Sequence, residues 1–382
     1  MKILHYIPYY PCTSETFIRN LIVGLQQTGH DNYILTNKIV NDLSATDEIP
    51  LKEIDINRNF VYRALKKILS YFGIALLSNK QKIHSYIKEV SPDVIHCHFG
   101  WSGADIFNIT NGNADKYVVS LHGQDVMVSP FKNKAYRQTI SKMGKATNVN
   151  FTTPSHFLKS LAVITFTIPA EKIKVVGNVL NSRFYEHAIN PHVASKENPA
   201  KRIYCIGRLV DWKGQDILIR ALKVMNEKSS IKAKVYLIGA GEKELELKAL
   251  VQSLGLTHLV YFEGAIPPNK VPAMLQNADL YIQPSRTDTF TGQVESFGVA
   301  VLEAISSNLP VIGSNSGGIP EILFCQDREQ GISLVVPGDP EALATEITFY
   351  LENNITLSDT ARSNILNKFS KKNVISEVIS CY

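Results

Sequence analysis

The sequence lacks the features that mark several common classes of protein. Its five cysteines lie far apart and form no Cys-x-x-Cys pair, which argues against a zinc site or a disulfide framework. No apolar run reaches the roughly eighteen residues needed to cross a bilayer. No basic segment leading into an apolar stretch precedes the strand-like residues 2–7. Internal repeats and low-complexity segments are also absent, so the sequence predicts a cytosolic globular protein with reduced thiols.

Length and charge give a coarse picture of the protein. A chain of 382 residues with 45% apolar and 20% charged residues has room for two soluble domains. The net charge of +5 is unevenly spread, because residues 1–200 carry 22 Lys and Arg against 15 Asp and Glu. Such an excess suits a face that meets anionic lipid or a phosphate-bearing acceptor, and it also suits plain solubility.

Short apolar segments alternate with amphipathic helical patterns along the whole chain. This alternation is typical of α/β proteins with parallel, doubly wound sheets. Residues 181–200 are polar, contain prolines and show no periodicity, so we interpret them as a linker between domains 1–180 and 201–363. The predicted strands are 2–8, 32–36, 94–99, 117–121, 150–153, 172–178, 203–206, 235–238, 260–263, 280–282, 310–312 and 333–336.

Residues 281–323 hold two carboxylates, Glu295 and Glu303, with seven residues between them. Glu295 falls in a predicted loop and Glu303 in the helix that follows it. Free backbone N–H groups at the starts of this helix and of the next one would form a pocket for a polar, anionic ligand. We assign these groups to Phe297, Gly298, Val299, Gly318 and Ile319. The alternative is a solvated glutamate beside ordinary glycine turns.

The segment Gly-Arg-Leu-Val-Asp-Trp-Lys-Gly follows the first predicted strand of the second half. Arg208 and Lys213 stand there at a strand-to-helix junction. A guanidinium offers a planar fork of donors and an ammonium a compact charge, so the two residues are well suited to neutralise a diphosphate. Solvated surface charges are the alternative.

Gly239-Ala240-Gly241 follows the next predicted strand and suggests a dinucleotide fingerprint. A third glycine would be needed at position 244, where Glu244 stands. The sequence therefore does not favour a nicotinamide-dependent oxidoreductase.

The Glu-x7-Glu spacing around Phe297-Gly298, the Gly-Arg-Leu-x-x-x-Lys-Gly segment and the turn Gly-Gly-Ile-Pro-Glu together resemble a known signature. It is the donor site of retaining, two-domain glycosyltransferases of family 4 (glycosyl transferases group 1). The resemblance implies the GT-B fold, two Rossmann-like domains facing each other across a cleft. It also implies that the first domain binds the acceptor and the second the donor. The final helix, about 364–382, would pack back on the first domain.

The resemblance assigns roles to the donor-site residues. Glu303 would accept hydrogen bonds from the ribose, Glu295 would contact the donor sugar, and His122 would lie near the C6 side of that sugar. The predicted catalytic set is His122, Glu295, Arg208 and Lys213. The predicted donor-binding set is Arg208, Lys213, Gly241, Ala265, Ile266, Glu295, Phe297, Gly298, Val299 and Glu303.

The segment Pro-Cys-Thr-Ser-Glu-Thr-Phe-Ile follows the first predicted strand. It resembles the polysaccharide-assembly branch of the family, in which this loop lies over the donor diphosphate and the acceptor. The resemblance therefore makes Ser14, Glu15 and Thr16 candidates for acceptor and diphosphate binding. Capping of the next helix by Ser14 would explain the segment equally well.

His96 and His98 alternate with apolar residues at a strand end. Two such histidines suit a metal ion, but the sequence shows no third ligand at a suitable spacing nearby. We therefore interpret them as hydrogen-bonded structural residues. With no Asp-x-Asp pair at a convincing strand end, the sequence predicts metal-independent catalysis without a cofactor.

Residues 58–82 combine four aromatic and six basic residues in a helical pattern. One interpretation is a surface helix that packs its apolar side on the sheet. The other is an interfacial helix that docks on an anionic membrane near a lipid-linked acceptor.

The resemblance predicts a cytoplasmic enzyme, with possible peripheral contact to the inner membrane and no nucleic-acid partner. It would move a hexose or N-acetylhexosamine from a nucleotide-diphosphate sugar, UDP rather than GDP, to a lipid-linked or oligosaccharide acceptor. Transfer would retain the anomeric configuration and serve bacterial surface polysaccharide synthesis. Alternatives are a nucleotide-sugar epimerase of the same fold, whose acid and base carboxylates we cannot place, and a non-catalytic nucleotide-sugar-binding protein.

Overall fold

The structure is a computed structural model of the 382-residue chain. It describes residues 1–12, 15–40, 49–54, 65, 68–69, 80–180, 184 and 200–382. Ser14, most of the predicted helix 58–82 and most of the predicted linker 181–200 lie outside the described residues. The chain divides into two compact units, the first formed by Met1–Val179 with Lys371–Tyr382 and the second by Leu180–Ser370.

Seven parallel strands form the sheet of the first unit, in the order β3-β2-β1-β4-β5-β6-β7. The central strands are almost wholly buried, and such strands are apolar nearly throughout because helices cover both faces of the sheet. The strands are β1 (Lys2–Tyr10), β2 (Asp31–Ile39), β3 (Leu51–Glu53), β4 (Val94–His98), β5 (Tyr117–Ser120), β6 (Val149–Thr153) and β7 (Ile173–Val175).

The helices of the first unit connect these strands. Two of them begin at the polar caps that their sequences offer, since Asn133 accepts from the N–H of Tyr136 and Ser155 from that of Leu158. The helices are α1 (Thr16–Gln27), α2 (Lys80–Val90), α3 (Gly100–Thr110), α4 (Gln124–Met127), α5 (Ser129–Lys132), α6 (Lys134–Lys145) and α7 (His156–Phe166).

Six parallel strands form the sheet of the second unit, in the order β10-β9-β8-β11-β12-β13. They are β8 (Lys201–Ile206), β9 (Ala233–Ile238), β10 (Val260–Gly264), β11 (Leu280–Gln283), β12 (Val311–Ser314) and β13 (Ile332–Val335). Its helices are α8 (Gln215–Lys228), α9 (Glu244–Ser253), α10 (Val271–Leu275), α11 (Val299–Ser306), α12 (Ile319–Ile322), α13 (Pro340–Glu352) and α14 (Asp359–Lys368). Both sheets agree with the predicted α/β class.

The C-terminal helix α15 (Lys371–Ile379) returns to the first unit. Its residues Val374, Ile375 and Val378 pack with Ile3 and Leu25. The chain crosses later than the predicted residue 364, because α14 packs within the second unit.

The order of the strands shows where each sheet can bind a ligand. Neighbouring strands β8 and β11 are not consecutive in the chain, and the same holds for β1 and β4. In open parallel sheets such positions leave a crevice beyond the carboxyl ends of the strands. Arg208 follows β8 and Glu295 follows β11, so both lie on loops at this edge of the second sheet. Among the described residues, no helix combines the length and the apolar character that crossing a membrane requires.

Candidate functional site

The loop after β8 carries both predicted basic residues and is held at two points. Gln215 donates from its side-chain amide to the carbonyl oxygen of Arg208 over 3.0 Å. Gly214 has a φ of 70°, and a Cβ at this position would lie 2.0 Å from the carbonyl oxygen of Pro284. Only glycine allows this approach between the loops after β8 and β11. The two contacts fix the loop that presents Arg208 and Lys213.

Lys213 forms an ion pair with Glu295, and 2.5 Å separates Nζ from Oε2. The two side chains are only 12% and 9% exposed. The ammonium group also lies 4.6 Å from the centre of the Trp212 ring, which is close enough for a cation–π contact. The motifs predicted separate roles for Lys213 and Glu295, and the structure shows that the two side chains form an ion pair.

Arg208 has no such partner. Its side chain is exposed, and its guanidinium carbon lies 5.7 Å from the centre of the Trp212 ring. Within the described part of the chain, no carboxylate forms an ion pair with it. A phosphate or another anionic ligand at the end of β8 therefore meets a guanidinium with its donors available.

Glu303 lies on α11, one turn after its start, and is partly buried. Burial raises the pKa of its carboxyl from 4.5 to about 8, because the charged form loses hydration. No hydrogen bond to this side chain is formed within residues that the structure describes. A fully solvated glutamate would keep its ordinary pKa.

The start of α11 offers the predicted backbone donors. Gly298 precedes the helix with a φ of 106°, and no side chain caps this end. The N–H groups of Gly298 and Val299 find no acceptor within the described residues. Phe297 is 2% exposed and packs edge-on against Phe369, with the ring centres 5.3 Å apart. The buried ring thus anchors a helix start whose free N–H groups suit an anion.

The prediction that Gly318 and Ile319 supply further donors is wrong. The N–H of Gly318 donates to the carbonyl oxygen of Glu295 over 2.9 Å, and that of Ile319 donates to Ser316 over 3.2 Å. A Cβ on Gly317 would lie 2.0 Å from the same oxygen of Glu295. Gly317 and Gly318 therefore support the loop that carries Glu295, and the N–H groups of Gly318 and Ile319 are engaged by the backbone of this region.

The ends of β9 and β10 close against the loop after β8. A Cβ on Gly241 would lie 2.3 Å from the carbonyl oxygen of Leu209, and one on Gly239 would lie 2.0 Å from that of Gly207. Gly241 therefore allows a close backbone contact beside the basic loop. Ala265 is exposed, while Ile266 packs against the apolar core of the second unit. Among the described residues, no hydrogen bond or ion pair joins Ala265 or Ile266 to Arg208 or Lys213.

A charged network that the motifs did not reveal braces the basic loop. Arg286 Nη1 lies 2.9 Å from Asp216 Oδ2, and the backbone N–H of Arg286 donates to Trp212 over 2.9 Å. Lys243 Nζ lies 3.1 Å from Asp211 Oδ2. Each pair joins residues from different loops, so no local spacing points to it. Only the positions of these charges at strand ends could have suggested their proximity.

In the first unit, His122 lies between two aromatic rings at the end of β5. Its ring centre is 4.9 Å from that of Phe17 and 4.8 Å from that of Phe99. Burial lowers the pKa of His122 from 6.5 to about 3, so the imidazole is neutral at physiological pH. Phe17 directly follows Glu15 and Thr16, where α1 begins. His122 thus lies beside the first residues of α1.

Asp125 holds the backbone around His122. Its carboxylate accepts from the N–H groups of Gly100 at 2.9 Å, His122 at 3.0 Å and Gly123 at 2.8 Å. Burial raises the pKa of Asp125, and these N–H donors counteract the rise. The sequence analysis assigned Asp125 no role. The structure shows that Asp125 joins the ends of β4 and β5.

A third histidine, which the sequence analysis missed, lies beside His96 and His98. His5 on β1 brings three ring nitrogens within 4.8 Å of one another. The rings of His96 and His98 are stacked with centres 4.4 Å apart, and those of His5 and His98 are stacked at 5.4 Å. Stacked rings do not aim their lone pairs at one point, as a tetrahedral metal ion requires.

Hydrogen bonds occupy most of the nitrogens in this stack. His5 Nε2 donates to Asn32 over 2.9 Å, because the amide nitrogen of Asn32 is itself a donor to two oxygens. His96 bonds to Ser120 at 2.7 Å and to the hydroxyl of Tyr382 at 2.8 Å. Burial lowers the pKa of all three histidines. These contacts agree with the structural interpretation of His96 and His98.

Comparison with known proteins identifies both halves of the chain. The family model described as Glycosyl transferases group 1 matches residues 189–368, and the model of Glycosyltransferase Family 4 matches residues 14–183. An uncharacterized glycosyltransferase of Methanocaldococcus jannaschii is 28% identical over 95% of this chain and 92% of its own length. The amylovoran biosynthesis glycosyltransferase AmsK of Erwinia amylovora is 25% identical over 90% and 89%.

A solved structure shows the same fold over its full length. Anabaena HepE in complex with UDP superposes with a TM-score of 0.76 at 18% identity, covering 100% of this chain and 99% of that one. The chain therefore belongs to the glycosyltransferases of family 4, the group 1 glycosyl transferases, with the two doubly wound sheets of the GT-B type that its motifs predict.

Proposed function

We propose that the protein moves a hexose or an N-acetylhexosamine from a UDP-sugar, rather than a GDP-sugar, to a lipid-linked or oligosaccharide acceptor. The convergence of Arg208, Lys213 and Glu295 at the ends of β8 and β11 is the observation that carries the proposal. The UDP bound by Anabaena HepE supports the choice of nucleotide. The amylovoran-assembling relative supports a role in bacterial surface polysaccharide synthesis.

Arg208 and Lys213 bind the diphosphate in this proposal. Negative charge grows on the diphosphate as the bond to the anomeric carbon breaks, and fixed cations stabilise that charge most in the transition state. The free N–H groups of Gly298 and Val299 add dipoles at the start of α11. Two cations and a helix terminus replace the charge that a divalent ion would supply, so we propose metal-independent transfer.

Arrival of the diphosphate changes the surroundings of Lys213. Its ammonium group is paired with Glu295. An ammonium has three N–H donors, so Lys213 can keep Glu295 and also donate to a phosphate oxygen. Glu295 accepts hydrogen bonds from hydroxyl groups of the donor sugar. The pair thus links binding of the sugar to binding of the diphosphate.

In this proposal, Glu303 accepts hydrogen bonds from the two hydroxyl groups of the ribose. A pKa of about 8 keeps this carboxyl largely protonated at neutral pH. Two hydroxyl donors favour the charged form, so the nucleotide lowers this pKa as it binds. Glu303 therefore positions the nucleotide and does not transfer a proton to the acceptor.

Transfer retains the anomeric configuration by a same-face displacement. The bond from the anomeric carbon to the diphosphate oxygen breaks, and that oxygen takes the proton of the attacking acceptor hydroxyl. The new glycosidic bond forms on the face that the diphosphate leaves. His122 contributes a neutral imidazole that hydrogen-bonds a sugar hydroxyl, and Glu15 and Thr16 contribute to acceptor binding. A β-linked product from an α-linked donor, seen by NMR, would refute this mechanism.

A thermal-shift panel of UDP, GDP and ADP with their sugars tests the donor. We expect UDP and one UDP-sugar to raise the melting temperature of the wild type and to raise that of Arg208→Gln much less. Nucleotide release in the presence of a glycan acceptor, unchanged by EDTA, then separates an enzyme from a nucleotide-sugar-binding protein. A larger shift with GDP would overturn the choice of UDP. Loss of nucleotide release in EDTA would overturn metal independence.

A further inference from the structure

A cleft of about 570 Å³ opens at the amino ends of the strands in the second unit. Lys201 and Leu280 are the first residues of β8 and β11, and Pro310 directly precedes β12. All three line the cleft, together with Tyr350 and Leu351 of α13. The carboxyl ends of the same strands carry the proposed donor site, and the 6 residues of β8 put the two edges roughly 20 Å apart. The cleft is therefore separate from the groups assigned to the donor.

The lining of the cleft combines an aliphatic surface with a few polar groups. This is the usual composition of a small-molecule site, and the volume falls within the range of such sites, about 300–1,000 Å³. The aliphatic side chains are Leu280, Pro310, Leu351, Ile355 and Leu357. Among the polar groups, the ammonium of Lys201 donates to Asn354 Oδ1 over 2.9 Å and keeps two further donors. The cleft thus suits a ligand that has both an apolar surface and hydrogen-bonding groups.

Asn308 supplies the cleft with a hydrogen-bond acceptor that is not satisfied. Its Oδ1 atom is buried and accepts no hydrogen bond from the residues that the structure describes. The backbone of Asn308 is fixed, with a φ of 61° and its N–H donating to the carbonyl oxygen of Ile305 over 3.0 Å. Buried polar atoms in proteins are nearly always hydrogen-bonded. The Oδ1 of Asn308 therefore indicates a ligand that brings an N–H or O–H donor.

The charges of the cleft disfavour an anionic ligand. Two carboxylates line it, those of Asp279 and Asp359, against the single ammonium of Lys201. The proposed donor site differs, because it has two cations and free N–H groups at a helix start. A phosphate, a nucleotide or a uronate in the cleft would meet more negative than positive charge, and like charges in contact oppose binding. The ligand that fits is therefore neutral and carries several hydrogen-bond donors.

We infer that the cleft binds a neutral oligosaccharide. A sugar hydroxyl is both a donor and an acceptor, so one sugar can donate to Asn308 and the carboxylates and accept from Lys201. The C–H groups of the sugar rings pack on the aliphatic side chains. The inference goes beyond the proposed transfer reaction, because a chain bound here leaves the donor site open. If that reaction is correct, the cleft keeps a glycan chain attached to the enzyme and raises its effective concentration.

Methyl NMR of the full chain with neutral trisaccharides tests the inference. The sugars are maltotriose, cellotriose and the trimer of N-acetylglucosamine, with trigalacturonate as the anionic comparison. We expect at least one neutral trimer to shift the methyl signals of Leu280, Leu351 and Leu357, while trigalacturonate shifts none of them. The signal of Val299, at the start of α11, should stay in place. UDP should shift Val299 and leave the leucines unchanged, so a failure of the proposed donor site is recognised separately.

Two variants locate the binding. Thr356→Trp places a large ring in the cleft from an exposed position and should weaken sugar binding at least tenfold. Its matched control Thr345→Trp, exposed on α13 and outside the cleft, should bind as the wild type does. Asn308→Gly removes Oδ1, keeps the left-handed backbone and should weaken binding about fivefold, as loss of one hydrogen bond does. Asn111→Gly, with a φ of 52° at the end of α3, should have no effect. Thermal melting checks that all four variants fold.

Three results would overturn the inference. The first is that none of the three neutral trimers shifts the leucine signals, or that trigalacturonate shifts them as strongly. The second is that Thr356→Trp and Asn308→Gly both bind the trimers as tightly as the wild type. The third concerns chain length, since glucose and N-acetylglucosamine should bind at least tenfold more weakly than their trimers, and equal affinities would rule out a chain. Because no donor is present in these titrations, their outcomes leave the proposed transfer reaction untouched.

Discussion

The Nζ of Lys213 lies 2.5 Å from the Oε2 of Glu295, although 82 residues separate the two in the chain. Both side chains are largely buried. Loss of the ammonium would therefore leave a carboxylate with neither water nor a counter-ion around it, and such a loss is strongly destabilising. The pair contributes to the stability of the second unit as well as to the proposed binding of donor.

A double-mutant cycle measures this coupling. Lys213→Met should lower the free energy of unfolding by about 3 kcal/mol. Lys213→Met/Glu295→Gln should cost less than the sum of the single changes, since no unpaired charge remains. Urea unfolding followed by Trp212 fluorescence in a Trp101→Phe background reports on the second unit. Lys228→Met breaks an exposed pair with Glu341 and should cost below about 0.5 kcal/mol. Additive single and double changes would show that the pair is not coupled.

The pKa of about 8 for Glu303 predicts a pH-dependent cost to stability. In the unfolded chain this carboxyl ionises near pH 4.5, while the folded protein keeps the proton up to about pH 8. Stability therefore falls as pH rises through this window and stays level above it. Glu303→Gln should be nearly neutral at pH 4 and should stabilise by about 4 to 5 kcal/mol at pH 9. A difference in melting temperature that is the same at both pH values would contradict the raised pKa.

Removal of the Glu303 carboxylate should affect donor binding more than the rate of transfer. Glu303→Ala loses acceptors for the proposed ribose hydroxyls, which are bound equally in the ground state and the transition state. We expect the KM for donor to rise at least tenfold and kcat to change less than threefold. Glu346→Ala, on α13, is a control that should alter neither constant. A large fall in kcat at unchanged donor KM would return a catalytic role to Glu303.

The neutral state of His122 predicts that this residue contributes no pH dependence to kcat/KM. With a pKa of about 3, its ring stays uncharged from pH 5 to pH 9. His122→Ala should lower kcat/KM because a hydrogen-bonding group is lost, and the shape of the pH profile in that range should not change. A wild-type step near pH 6.5 that disappears in the variant would show that His122 titrates during the reaction.

Gly317 is expected to be far less replaceable than Gly338. Both have positive φ, 58° and 78°, so alanine costs about 1 kcal/mol in backbone conformation at either position. Only at Gly317 would the added Cβ collide with the carbonyl oxygen of Glu295, while Gly338 has open space around it. Gly317→Ala should therefore weaken binding of UDP, measured by calorimetry, and Gly338→Ala should not. Equal affinities in the two variants would show that Gly317 does not support the loop that carries Glu295.

The sequence predicted the two sheets well because buried parallel strands are short, apolar and bounded by turns. The point where the chain returns to the first unit was harder to predict. The sequence analysis treated the last residues as one final helix, whereas α14 and α15 are separate and pack in different units. Their packing partners are distant in the sequence and leave no local trace.

The candidate site was likewise predicted only in part from the sequence. Arg208, Lys213, Glu295 and Glu303 stand in recognisable motifs, so residue types and spacing were enough to find them. The pairing of Lys213 with Glu295 and the packing of His5 against His98 join distant segments, and no spacing predicts either contact. The motif also could not show that the N–H of Gly318 is already engaged by Glu295.

The return of the chain at Lys371 has a consequence for synthesis on the ribosome. The first unit emerges first, yet its core includes Val374 and Ile375, and its buried His96 bonds to the hydroxyl of Tyr382. The second unit is continuous from Leu180 to Ser370 and is complete before those residues are made. Domains generally fold as units as they emerge. The first unit is translated first, and it is therefore the last of the two units to become complete.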